Sequence, residues 1–202
     1  KKAFGVLQRI GKALMLPVAL LPAAGLLLGF GSMFQDPQFL SLVPALNAGW
    51  FQLIATIMSD AGNIIFSNLA LLFAVGVAVG LSEGDGVAGL AAIVGFLILN
   101  VTMGIGGGIT ADVVASTKNG MYATVLGIPT LQTGVFGGII MGVIAAALYK
   151  RFYKIELPSY LGFFAGKRFV PIVTAVSALV LGGIMVFVWP PIQGALLYFS
   201  QN

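Results

Sequence analysis

Charge in this chain is confined to short islands, and between them run uncharged segments at 13–35, 37–59, 61–82, 86–111, 119–149 and 169–202. Each run is long enough for the ~20 residues that carry a helix across a hydrocarbon layer. Composition agrees: 59% of the 202 residues are hydrophobic and 8% charged, whereas soluble domains hold about 25% charged residues. The expected fold class is therefore an all-α membrane protein. A pI near 9.5 does not indicate nucleic acid, because the basic residues lie between apolar runs, where they set orientation. Cysteine and histidine are absent, which excludes disulfides, a thiolate nucleophile and a cysteine-based metal site. No cofactor or metal is expected.

Orientation follows from the stretch 149–171. It gathers Lys150, Arg151, Lys154, Lys167 and Arg168 against the single acid Glu156, so it belongs on the cytoplasmic side. At the other end of the chain, Lys1, Lys2, Arg9 and Lys12 alternate with Phe4, Val6, Leu7 and Ile10, as suits a helix lying at the cytoplasmic interface. The run that follows exceeds the 7–15 apolar residues of a cleaved signal and reads as a retained first span, kinked at Pro17 and Pro22. The segment 36–60 carries Pro37, Pro44, Asn47 and Gln52 with an acid at each end. Leu46, Trp50, Phe51, Ile54, Ile57 and Met58 recur there at helical spacing, so it is expected to be an external interfacial helix. Five spans result, at about 13–33, 61–82, 86–105, 132–149 and 169–191. They put nine of the ten basic residues inside, the N-terminus in the cytoplasm and Asn202 outside. A sixth span would leave only Lys1, Lys2, Arg9, Lys12 and Lys118 inside, which the positive-inside rule rejects.

Several residues stand out within this frame. Asn63, Ser67 and Asn68 bring polarity to the outer half of the second span, beside small residues at Ala70, Ala74 and Ala78 that allow close helix approach. Glu83-Gly84-Asp85-Gly86 is a tight cytoplasmic turn. The segment 104–130, with Gly106-Gly107-Gly108, Asp112, Lys118 and Pro129, reads as a flexible external loop and lacks the Gly-Lys-Ser/Thr of a phosphate cradle. Asn100-Val101-Thr102 matches a glycosylation sequon but ends an apolar run and is discounted. Gly134, Gly138 and Gly142 form a ridge of small residues, expected to meet another helix within the subunit or across a dimer.

Four pieces of the sequence together resemble a known family. They are Gly11-Lys12-Ala13-Leu14-Met15-Leu16-Pro17-Val18 with Leu21-Pro22-Ala23-Ala24-Gly25; Gly84-Asp85-Gly86-Val87-Ala88-Gly89-Leu90-Ala91-Ala92; Leu126-Gly127-Ile128-Pro129-Thr130-Leu131-Gln132-Thr133-Gly134-Val135-Phe136-Gly137-Gly138; and 157–171. Each is weak alone, but in this order they resemble the glucose-type membrane subunit, enzyme IIC, of bacterial phosphoenolpyruvate-dependent sugar phosphotransferase systems. The resemblance implies a membrane domain of about ten spans that binds sugar from outside and presents it to a phosphorylated cytoplasmic partner domain of the enzyme IIB type. This chain is similar to its first half, a scaffold and dimerisation half. The family's sugar-contacting Gly-Ile-Thr-Glu-Pro type motif and its phosphocysteine have no counterpart here, so no phosphoryl-carrying or catalytic residue is expected in the chain.

On that resemblance the expected partners are a sugar, glucose before maltose or N-acetylglucosamine, the phosphoryl-donor domain, the lipid bilayer and a second copy of the chain. Polar side chains buried in a membrane are candidates for a sugar path, which nominates Asn63, Asn68 and Asp85. Lys167 and Arg168, at the mouth of the fifth span, are candidates for coupling to the phosphoryl donor, since positive charge there attracts an acidic surface or a sugar phosphate. For all five the plainer expectation is capping, turn formation, or topology with anionic-lipid contact. A rival class is a non-transporting membrane sensor or assembly scaffold. An intramembrane enzyme ranks last, because nothing supplies acid–base or nucleophilic chemistry.

Overall fold

The computed structural model describes residues 2–117 and 120–201; the expectations placed on Lys1, Lys118 and Asn202 lie outside them. Helix dominates, in the order α1 (Lys2–Ala13), α2 (Met15–Gln35), α3 (Pro37–Leu42), α4 (Gly49–Ser67), α5 (Leu69–Leu81), α6 (Gly86–Gly106), α7 (Ala111–Ser116), α8 (Gly134–Phe152) and α9 (Phe169–Gln201). One antiparallel hairpin, β1 (Tyr122–Val125) with β2 (Ile128–Leu131), stands between α7 and α8. Among the described residues four segments are long and apolar enough to cross a membrane, or five if α4 and α5, which bend by 59° at a short break, count as one span. The chain divides into two compact units, Met15–Leu69 and the remainder.

In the unit Met15–Leu69, α2 and α4 pack closely through glycine. A methyl at Gly62 would lie 2.5 Å from the Ala24 carbonyl oxygen and 2.7 Å from Leu28 N, and one at Gly31 would lie 2.8 Å from the Ala55 carbonyl oxygen. Gln52 fastens the connection by donating from Nε2 to the Phe34 and Leu46 carbonyls at 3.0 and 3.1 Å. Here the structure corrects the expected division at Asp60. The segment 36–60 is three pieces rather than one interfacial helix: α3, a 3₁₀ turn at Pro44–Leu46, and α4, which runs through Asp60 to Ser67. Pro44 has no N–H to donate to a continuing helix, which ends α3 before it. A single exposed acid does not stop a helix. The break comes instead at Asn68, whose backbone N–H and side-chain Nδ2 both donate to the Ile64 carbonyl.

The other unit is organised around α6. Ala88, Ala91, Ala92, Phe96, Leu99, Asn100 and Met103 are almost wholly buried there. Small residues let its neighbours approach: Gly95 faces Met141 of α8 and Thr174 of α9, and Gly182 of α9 seats against Thr102. At the far end of α6 the hairpin closes the unit, with Gly104 against the Pro129 carbonyl oxygen. Trp189 Nε1 donates to the Gln132 carbonyl at 2.9 Å and Gln193 Nε2 to the Gly120 carbonyl at 3.0 Å. The expected flexible loop at 104–130 thus contains α7 and an ordered hairpin. Its two-residue turn has positive φ at Leu126 (55°) and Gly127 (81°), the combination whose twist matches paired strands. The sequence signal was hidden because leucine is an unusual residue for that backbone region.

Candidate functional site

At the opposite end of this unit three segments that sequence places far apart are drawn together. After α5 the chain reverses through Glu83 (φ 63°) and Gly84 (φ 91°), and Asp85 caps α6 by accepting from the Val87 N–H at 2.9 Å through Oδ1. This is the N-cap geometry that satisfies an otherwise unpaired helical donor. Its other oxygen, Oδ2, accepts from the Tyr149 hydroxyl at 2.5 Å and from the Lys167 ammonium at 2.7 Å. One carboxylate therefore ties the start of α6 to the last turn of α8 and to the 3₁₀ turn Gly166–Arg168 that leads into α9. Lys167 is presented by a loop closed on itself, where the Gly166 N–H donates to the Ile155 carbonyl at 3.0 Å with φ 69° at Gly166.

Lys167 first, then Tyr149 and the Val87 N–H, hold the Asp85 carboxyl down to about 2 from its ordinary 3.8, against an opposing effect of burial. A carboxylate so supplied with donors stays ionised and is a poor proton acceptor. The cluster is suited to joining segments, with little capacity for acid–base work. The Lys167 side chain is 53% exposed while Asp85 is 17% exposed, so an ammonium with further N–H donors faces outward from an anchored base. Arg168 is held differently. Its Nη1 donates to the Phe163 carbonyl at 3.2 Å and its guanidinium lies 4.6 Å over the Phe163 ring.

Of the nominated residues, the structure brings Asp85 and Lys167 into contact, and sets Arg168 next to them in sequence but on other partners. Asn63 and Asn68 lie in the unit Met15–Leu69. Asn63 is exposed, its carbonyl accepting from Ser67, and Asn68 caps α4. The glycine ridge is used within the subunit: a methyl at Gly142 would lie 2.5 Å from the Ala74 carbonyl oxygen, and one at Gly138 would overlap the Ala70 carbonyl, both on α5. Gly134 does not belong to that contact. It begins α8 with φ 57° and has open space around it, so its role is conformational.

Tyr149 is the residue that sequence reasoning passed over. It opens the basic stretch and reads as an interfacial aromatic, and its link to Asp85 spans 64 positions, beyond any local spacing rule. Asn100 is 1% exposed and donates to the Phe96 carbonyl at 2.9 Å, which accounts for a sequon no glycosylating enzyme can reach.

Residues 11–201 match the family described as "Phosphotransferase system, EIIC". The glucose-specific EIICBA component of Staphylococcus carnosus is 60% identical over 202 residues, covering all of this chain and 30% of that protein. The glucose-specific EIICBA component of Staphylococcus saprophyticus is 57% identical over 202 residues, with 30% of it covered. The glucoside-specific EIICBA component of Staphylococcus carnosus is 56% identical over 212 aligned positions, with 31% covered. The chain thus spans less than a third of the length of the curated relatives it matches. With a family match over nearly its whole length and a helical, multi-pass membrane architecture, this chain belongs to the EIIC family of the phosphotransferase system.

Proposed function

We propose that the chain is the N-terminal, scaffold half of a sugar-translocating membrane domain, and that the whole protein takes up glucose and phosphorylates it in one coupled process. The observation that carries this reading is the similarity of the entire chain to relatives named glucose-specific EIICBA components. Their names join the membrane component to B and A components, which supports a phosphoryl-donor partner of the B type. The glucoside-specific relative at 56% identity favours a glucoside as the second choice of substrate. Packing supports the scaffold role, since α5, α6, α8 and α9 meet through glycine and alanine with little room to slide. A homodimer remains part of the proposal.

The cytoplasmic placement of the N-terminus is supported by where the basic segments fall. The end of α1 packs on α5, with Gly80 against Ala13, and Arg9 and Lys150 line one depression together. That is the end of the unit where Asp85 meets Lys167. The outward-facing Lys167 is then positioned to meet an acidic partner surface or a sugar phosphate, while its bond to Asp85 ties that encounter to the start of α6.

The test is uptake of radiolabelled glucose by the full-length protein, in cells lacking other glucose carriers, with recovery of sugar phosphate measured in parallel. Glucose should outcompete maltose, N-acetylglucosamine and an alkyl glucoside. Accumulation of unphosphorylated sugar, or no uptake of any of the four, would overturn the proposal.

A further inference from the structure

A cavity of about 300 Å³ lies outside the Asp85 cluster, lined by Leu157, Leu161, Phe164, Phe169 and Ile172. Its walls come from the loop after α8 and from the first turns of α9. That helix is apolar enough to cross a membrane, so a cavity against its start opens where acyl chains meet headgroups. Every lining side chain is apolar. A sugar there would lose hydrogen bonds to water and find none in return, whereas a hydrocarbon chain fits the lining.

Charge beside the cavity specifies the occupant further. The Arg168 guanidinium sits 4.6 Å over Phe163, which meets the lining residue Phe164 edge to face at 5.3 Å. The Arg151 guanidinium lies 5.8 Å from the Phe152 ring, which packs against the lining residue Phe169 at 5.5 Å. Two arginines are thus each one aromatic ring removed from the wall of a slot for hydrocarbon. Guanidinium groups bind phosphate oxygens in pairs of parallel hydrogen bonds. The neighbouring Tyr160 and Phe163 are 81% and 68% exposed, as aromatic residues at a bilayer boundary are.

We infer that the cavity seats one acyl chain of an anionic phospholipid whose phosphate is held between Arg151 and Arg168. The site uses the headgroup's net negative charge as well as its phosphate, so it discriminates against zwitterionic lipid. Juxtamembrane basic residues draw anionic headgroups strongly. The contact would hold the loop 153–168 against the bilayer surface and so fix the level at which Lys167 is displayed.

Native mass spectrometry of the full-length protein in detergent, titrated with phosphatidylglycerol and separately with phosphatidylcholine of the same chains, tests this. Phosphatidylglycerol should bind at least about tenfold more tightly. The double variant Arg151→Gln with Arg168→Gln should abolish that preference, and Ile172→Trp, which fills the cavity, should weaken both lipids while the preference remains. Thermal unfolding of each variant identifies any that fails to fold. Lys2→Gln, at the far end of α1 from this loop in sequence, serves as the charge control. Equal binding of the two lipids by the wild type would overturn the inference. So would an unaltered preference in the arginine variant, or full displacement of lipid by millimolar inorganic phosphate, which would mark a free-anion site. Displacement by an equimolar purified B-type domain would reassign the face to that protein.

Discussion

Replacing Gly142 with alanine tests how α8 seats on α5. The added methyl would lie 2.5 Å from the Ala74 carbonyl oxygen and 2.9 Å from Val77 Cβ, whereas non-bonded carbon contacts are comfortable at about 3.5–4.0 Å. The helices must separate by roughly 1 Å, because a backbone carbonyl inside a helix cannot turn aside as a side chain can. That displacement is felt along the face, since Gly138 meets Ala70 one turn earlier and Ala146 clusters with Val77 and Leu81 one turn later. Overpacking of this kind costs about 1–3 kcal/mol, and alanine's better helix propensity returns up to ~1 kcal/mol. The net loss should be about 1–2 kcal/mol, or roughly 2–8 °C in Tm for a chain of this size. Gly138→Ala should lose more, because its methyl would overlap the Ala70 carbonyl and sit 2.7 Å from the Ala70 carbonyl carbon. Gly183→Ala on α9, with nothing within 4 Å, is the control and should gain only the helix propensity, up to ~1 kcal/mol. Tryptophan-fluorescence melts in detergent read all three, and light scattering should show the oligomer unchanged, since this ridge is satisfied inside the subunit. Melting of Gly142→Ala and Gly138→Ala at wild-type temperature, or equal losses at Gly183, would refute the packing argument.

Asp85→Asn should lower stability by about 1–2 kcal/mol at pH 7, read by the same melts, with Tyr149→Phe losing less. Because the Asp85 carboxyl is held at about 2 against an ordinary 3.8, its contribution is fully present above about pH 4 and fades as pH falls toward 2. The stability difference between wild type and Asp85→Asn should therefore be flat from pH 7 to 5 and shrink below pH 4. Lys167→Gln in the full-length protein should leave sugar binding intact and reduce phosphorylation-coupled uptake, with less salt sensitivity than wild type; lost binding with normal phosphoryl transfer would place Lys167 at the sugar instead. Leu126→Asn should stabilise the hairpin by about 0.5–1 kcal/mol, since asparagine tolerates positive φ, measured as slower hydrogen exchange at 122–131. Single cysteines at Ser41, Ser116 and Ser159 should label from outside, outside and inside respectively.

The fold was legible where one physical rule acts locally. Apolar length identified the membrane helices, and α6 at Gly86–Gly106 differs from the expected 86–105 by one residue. Charge failed as a guide to helix ends. Asp60 interrupts an uncharged run yet sits within α4, because an exposed carboxylate leaves the backbone ladder intact, while the true break at Asn68 carries no formal charge. The hairpin was illegible for a related reason: its turn is Leu126-Gly127, and only the glycine advertises positive φ. At the site, Asp85 and Lys167 could be nominated individually from their loops. Their direct bond, and the second one that Tyr149 donates to Asp85, depend on the starts of α6 and α9 and the end of α8 lying side by side, which packing decides and spacing along the chain does not reveal.

Polar and apolar ties are segregated along this unit, and that segregation bears on how it can work. Its middle is held by Gly138 and Gly142 against backbone, Gly182 against Thr102, and Gly95 against Met141 and Thr174, contacts that forfeit about a quarter to a half of their energy over a gap of about 0.5–1 Å. Its basic end is held instead by one carboxylate shared between two donors, of which the lysine is half in solvent. Opening the middle disrupts many contacts at once. Freeing the Lys167 loop from the start of α6 requires only that Lys167 exchange Asp85 for another anion while Tyr149 stays on the carboxylate, an exchange that ionic strength or an arriving phosphate can bias. A binding event at Lys167 would thus act first on the loop 153–168 and on the start of α6, leaving the helix contacts in place. Trapping Lys167 on Asp85 by a crosslink of matching length should then block coupling without lowering the melting temperature, whereas a crosslink between α5 and α8 should be silent.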